Sequence, residues 1–181
     1  MALILKNANL ARPVGAIPNG QAYVSQWIHV ARPALALPAT TTQQLFRVRT
    51  GRVLVKLLLG EVTTVIEGTD PVLKVSVSRL TAANLLSGTA YDIASTLDIS
   101  SDEVGTMYAV EGDGTAIISG NQVAGSVEAF SMGFVMAGPG QIYITTGATK
   151  TGAIKWDCWY QPLDESAYVE AITTATAAIT A

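Results

Sequence analysis

One cysteine and one histidine stand among 181 residues, and only 14% of the residues are charged. Each shortage excludes something. A single cysteine, Cys158, forbids an intramolecular disulfide, and in the middle of an alternating run it reads as a small buried hydrophobe. His29 and Cys158 lie far apart, and no cluster of His, Cys and carboxylates has the spacing of a zinc site. His29 therefore reads as a structural side chain. A His-assisted nucleophile would have to use it from within a proline-rich stretch, and no Gly-x-Ser-x-Gly elbow is present. GNQVAGS, around Gly120 and Gly125, has neither the spacing nor the lysine of a phosphate loop. Asp98, Asp102, Glu103, Glu111 and Asp113 lack the spacing of a calcium hand. Nothing selects two of the acids as a sugar-hydrolysing pair. The longest apolar run, Val53 to Leu59, is broken by Lys56 and falls short of the ~20 residues of a membrane helix. MALILKNANLAR lacks the apolar core of a signal peptide. The expectation is a soluble, non-enzymatic protein made in a reducing cytoplasm, with no cofactor, no metal and no membrane partner.

Apolar residues are plentiful, at 49%, enough to fill a core. Charge is unevenly laid out. Residues 1–91 carry nine Lys/Arg against three acids, and residues 92–181 carry two against eleven, for a net −3. Such a split either orients the molecule against a charged partner or a copy of itself, or cancels if the two halves interleave in one sandwich.

The patterning that remains is almost all period two, which places successive side chains on opposite faces of a strand. Residues 141–163, QIYITTGATKTGAIKWDCWYQPL, set the frame. Ile154, Trp156, Cys158 and Tyr160 fall on one side, and Lys155, Asp157, Trp159 and Gln161 on the other. Ile142 and Ile144 alternate with Tyr143 and Thr145. Gly147 and Gly152 bracket the connection, so the segment reads as a β-hairpin ended by Pro162. Leu73, Val75 and Val77 alternate with Lys74, Ser76 and Ser78. Phe46 and Val48 oppose Leu45, Arg47 and Arg49, and Thr50–Gly51 turns the chain into Val53–Thr64. Gly60 inside that run predicts a bulge or a break into two strands. Residues 92–94 and 97–99 predict short edge strands, with a turn of helix near Ser101–Glu103. Met107–Val110 and a strand sharing Phe130, Met132, Phe134 and Met136 on one face follow, with the turn Glu111–Gly114 and a weakly alternating stretch, 115–125, between them. Eight to ten strands at this spacing predict an all-β fold, an antiparallel β-sandwich of jelly-roll or Greek-key type.

Residues 1–42 hold Pro13, Pro18, Pro33 and Pro38 and predict an extended, Pro-rich N-terminal arm, with a short strand possible over 21–31. The sandwich domain is then 43–163. Residues 164–181 mix Ala with Ile and Thr, carry no glycine or cap, and predict a flexible or extended tail. Arg47, Arg49, Arg52 and Lys56 could form a basic ridge about the Thr50–Gly51 turn, facing an acidic surface or phosphates, or merely a solvated edge. An acidic chain without stacking aromatics on a basic domain argues against nucleic acid. The candidate interface residues are Trp27, Arg47, Arg49, Arg52 and Trp159.

The order TGRVLVKLLLGEVTTVIEG, DIASTLDIS, GTMYAVEG and TGAIKWDCWYQPLDESAYVEA resembles small virion proteins of tailed bacteriophages. Their Thr-Gly-x-Ile-x-Trp-x-x-x-Tyr-x-Pro-Leu ending is matched here by Thr151, Gly152, Ile154, Trp156, Tyr160, Pro162 and Leu163. The likeness covers about residues 43–170 and its motifs are structural. It implies a head decoration (cement) protein with a jelly-roll-like sandwich, on the capsid surface of the virion. Its partners would be the major capsid protein and itself, as a homotrimer. The Pro-rich arm has no counterpart in the resemblance. Two other functions fit an all-β chain: a tail, neck or fibre component, and a carbohydrate-binding or hydrolysing sandwich with exposed aromatics and a carboxylate pair in one cleft.

Overall fold

β-Branched and aromatic residues at alternating positions fold into eleven strands in a computed structural model that describes residues 27–38, 42–68, 71–80, 86–110, 117–119, 133–147 and 151–174. They are β1 (Ile28–Ala36), β2 (Thr42–Val48), β3 (Arg52–Thr64), β4 (Val72–Leu80), β5 (Leu86–Asp98), β6 (Met107–Val110), β7 (Ile118–Ser119), β8 (Phe134–Ala137), β9 (Gly140–Thr146), β10 (Ala153–Pro162) and β11 (Val169–Ala171). No helix occurs among the described residues, so none there is long and apolar enough to cross a membrane.

Two antiparallel sheets share these strands. The six-stranded sheet runs β1-β10-β3-β6-β7, with β8 also paired to β3; the five-stranded sheet runs β11-β2-β9-β4-β5. The pairing has a simple logic. β1 with β10, β2 with β9, β3 with β6 and β4 with β5 would be the rungs of one long folded ribbon. Rolling that ribbon brings β3 beside β10 and β4 beside β9. This is the strand order of a jelly roll, with β7, β8 and β11 added to it. Most connections consequently cross from one sheet to the other.

The inner faces supply the core. Val53, Val55, Leu58 and Val62 of β3 face Leu73 and Val75 of β4 and Ile142 and Ile144 of β9, all fully buried. Each such side chain contributes about 1.5–3 kcal/mol of burial. Trp156, the largest fully buried side chain, lies over Gly60 of β3, its cross-strand neighbour. A Cβ at Gly60 would meet the indole at 3.0 Å. Gly60 is there for close approach, and β3 runs unbroken through it. The bulge that the glycine predicts falls instead at Lys56, where the register slips between Trp159↔Leu57 and Tyr160↔Val55.

Other expectations change for the same reason: period two fixes a face but not a partner. β9 and β10 do not form a hairpin. β9 lies between β2 and β4, and β10 between β1 and β3, in the opposite sheet. Leu45 turns inward because β2 bulges between Gln44 and Phe46. β5 is one strand of 13 residues rather than two short ones, and residues 100–105 form turns, not helix. There Tyr108 donates to Asp102 Oδ2 at 2.5 Å and ties the loop to β6.

The domain boundaries also move. β1 pairs with β10 from Ile28↔Tyr160 to Ala36↔Ala153, so residues 28–36 belong to the sandwich and not to an arm. Pro33 is tolerated because β1 is an edge strand with an irregularity between Arg32 and Leu35. At the other end, β11 joins β2, and Ile172 N donates to Leu45 O, so residues 164–174 are tied down. Residues 1–26, the turn 111–114, most of the weak strand 115–125, Phe130 with Met132, and residues 175–181 lie outside the described residues.

Candidate interaction surface

The outer face of the six-stranded sheet is built by β1, β10 and β3. Alternation turns His29 and Ala31, then Lys155, Asp157, Trp159 and Gln161, then Leu54, Leu57, Leu59 and Glu61 away from the core. Register aligns them in rows across the strands. His29, Trp159 and Leu57 form one row; Ala31, Asp157, Leu59 and Ala109 form the next. Gln161, Leu54 and Val135 form a third. Leu54, Leu57, Leu59 and Trp159 are only half-buried, and Val135 is 60% exposed. An outer face normally alternates polar with the apolar core side. This one keeps an aliphatic and aromatic centre.

Charges fringe that centre in pairs. The His29 ring stacks on Trp159 at 4.6 Å between centroids and 18° between planes. Its Nε2 lies 2.6 Å from Asp157 Oδ1. Lys155 Nζ meets Glu61 Oε2, directly across on β3, at 2.6 Å. The histidine is thus placed by a stack and a carboxylate. Its neighbour on β10 could not be named from sequence, because the register between β1 and β10 is not written in either strand. Leu57 and Leu59 also escaped, since the run from Val53 to Leu59 lacks clean alternation.

The basic ridge does not assemble. Arg47 points from the outer face of the five-stranded sheet, where its Nη2 donates to Gln44 Oε1 at 3.2 Å. Arg49 Nε lies 2.7 Å from Glu170 Oε1, misaligned for a hydrogen bond, so the pair is Coulombic. Arg52 grips Asp164 with Nη2 at 2.8 Å and Nε at 3.1 Å, while its backbone N–H donates to the same carboxylate at 2.6 Å. Lys56 sits at the β3 bulge. Trp27 immediately precedes β1 and is 44% exposed. Of the five residues singled out in sequence, Trp159 lies at the centre of the apolar outer face. The three arginines are engaged by the chain itself.

Those ion pairs also settle how the charge halves meet. Arg49–Glu170, Arg52–Asp164, Lys74–Asp92 and Lys155–Glu61 each join the basic first half to the acidic second half. The halves interleave. Three carboxyls are held below their ordinary value: Asp164 by hydrogen bonds from Arg52, Asp92 by its hydrogen bond with Lys74, and Asp98 by Ser100. A carboxyl depressed in the folded state binds fewer protons there than in the unfolded chain. Its contribution is therefore complete above the ordinary value of 3.8 and is lost as pH falls through the lower folded value. Thermal melts should hold level from neutrality to about pH 5 and drop steadily below about pH 4. Asp164→Asn should flatten part of that drop.

One groove of about 300 Å³ opens between the sheets at the β8 side, lined by Val77, Ser78, Arg79, Tyr91 and Val135–Ala137. No carboxylate lines it among the described residues. Among the described residues no group of three His, Cys, Asp or Glu could hold a metal ion. Cys158 is buried, and burial pushes its thiol up to about 12.

No family model matches the chain, and no curated protein matches it either. Among solved structures it is similar to one described as "Structure of infectious bursal disease virus Gx strain", at 7% identity and a TM-score of 0.25. The match covers 79% of this chain and 33% of that one, so the chain spans about a third of that protein's length. A TM-score of that size carries no argument about function.

Proposed function

We propose that the chain is a structural protein of a tailed-phage particle, a decoration protein that binds the major capsid shell and braces it. The observation that carries this reading is the apolar outer face of the six-stranded sheet, centred on Trp159, Leu57 and Leu59 and fringed by His29–Asp157 and Lys155–Glu61. A sheet that is apolar on both sides needs a second partner for its outer side. The jelly roll behind it is a rigid support, and the order of motifs from Thr50 to Ala171 resembles small phage virion proteins. Fold alone would serve lectins or cupins equally well. The virion resemblance and the apolar centre of the outer face favour the capsid.

On this reading Trp159 is the anchor, since buried aromatics dominate interface energies. Self-association into trimers would multiply modest single-site contacts by effective concentration. The test is co-sedimentation with empty shells assembled from the major capsid protein of the same particle. Wild type should pellet with the shells to saturation. Trp159→Ala and Leu57→Asp should each weaken binding by roughly 30-fold or more, with cooperative melts retained. Wild type remaining in the supernatant at all shell concentrations would exclude the capsid reading.

A further inference from the structure

The second feature that asks for a ligand lies inside the sandwich, independent of the docking face. Arg32 of β1 points inward and is 1% exposed. Its Nε donates to Ile172 O, just beyond β11, at 2.9 Å. Its Nη1 and Nη2 are buried with no hydrogen-bond partner. Trp156 stands directly opposite Arg32 on β10, on the same inner face, and its Nε1 is also buried and unpartnered. Residues directly opposite in an antiparallel pair hold their Cβ atoms about 5 Å apart. The groups left over on this cross-strand pair are therefore all donors.

A buried guanidinium normally meets a carboxylate. Here none does: the ion pairs among the described residues use other cations. Desolvation alone acts on Arg32, lowering it to about 10, which leaves it charged at neutral pH. A water molecule answers the donors poorly, because it brings two hydrogens that need acceptors. The carbonyl that this side chain does reach, that of Ile172, accepts from Nε and not from Nη1 or Nη2. An anion only accepts. One buried cation calls for one negative charge. β1 and β11 are the edge strands of their sheets and neighbour each other across the sandwich, so the guanidinium sits at that edge.

We propose that Arg32 and Trp156 form an interior receptor for a monovalent anion, chloride under physiological conditions, which closes the side of the sandwich between β1 and β11. The ion supplies the missing counter-charge and completes the bonding of both side chains. Folding is then linked to chloride. Above its dissociation constant, each tenfold rise in chloride lowers the unfolding equilibrium constant about tenfold.

Two measurements on the full chain test this. The first compares denaturation in sodium chloride and in sodium gluconate at matched ionic strength. Wild type should be stabilised by chloride specifically, and Arg32→Met should lose that dependence while remaining at least as stable in gluconate. The second collects anomalous diffraction from wild-type crystals soaked in sodium bromide, which needs no variant and decides the matter if Arg32→Met fails to fold. A bromide peak within hydrogen-bond distance of the Arg32 guanidinium is expected. Identical stability in the two salts, an undiminished chloride effect in Arg32→Met, or an ordered water in place of bromide would each overturn the proposal.

Discussion

Trp156→Ala should lower the unfolding free energy by about 3–5 kcal/mol, the cost of removing a fully buried large aromatic side chain together with the cavity it leaves. Small domains have only about 5–15 kcal/mol in total, so the variant should sit near its folding threshold at 37 °C. The reason is position. Trp156 is on β10, the strand between β1 and β3, and its ring covers the backbone of β3 at Gly60. No neighbouring Cβ stands at Gly60 to move into the space. The midpoint of urea denaturation would fall with the slope unchanged. Gly60→Val tests the same contact from the other side: the ring must shift, at about 1–3 kcal/mol. If both variants melt like wild type, the indole is not packed on β3.

Beginning the chain at Thr42 should be as damaging. That truncation removes β1 with Ile28 and Val30, which pack against the core, and Leu37 just beyond it, which belongs to the core. It also strips β10 of one neighbour and exposes the flank of Trp156, Cys158 and Tyr160. Three aliphatic side chains and the lost pairing are worth roughly 3–5 kcal/mol. Cys158 provides the readout. In the intact chain its thiol is buried and held protonated by desolvation, so labelling should proceed only through unfolding. In the truncated chain labelling should approach the rate of an unstructured thiol. A shortened protein that still melts cooperatively and protects Cys158 would make residues 28–36 dispensable, as an arm would be.

Much of this architecture could be read from residues. The alternation over 154–161 names the buried face of β10 correctly; that over 73–78 places Leu73 and Val75 in the core of β4 and Val77 against it, but Ser76 and Ser78 on the other face are buried as well. These strands are legible because one face is apolar and the other polar. The failures share a cause. Partners are chosen in three dimensions: 141–163 reads as a local hairpin, yet β9 and β10 lie in opposite sheets because rolling the ribbon pairs each with distant strands. Prolines in 1–42 hid most of β1: the short strand expected over 21–31 overlaps it only at 28–31, since an edge strand can host Pro33 where a central strand could not. Val169–Ala171 was hidden by being three residues long. The interaction face was half legible. Trp159 stood out on the wrong side of an alternating strand. His29 and Leu57, its neighbours in the row, needed the register of two other strands. The arginines clustered in sequence, but turning from β2 to β3 at Gly51, with its φ of 62°, sends Arg47 and Arg52 to opposite sheets, gives Arg49 and Arg52 separate carboxylates and leaves Arg47 on the Gln44 side chain.

Electron cryo-microscopy of shells saturated with the protein is the most direct test of its role. Density for the sandwich should lie on the shell with the outer face of the six-stranded sheet inward, and Trp159 and Leu57 should be covered by capsid protein. Shells that stay bare, or that hold the sandwich by the five-stranded sheet with Trp159 facing solvent, would contradict it.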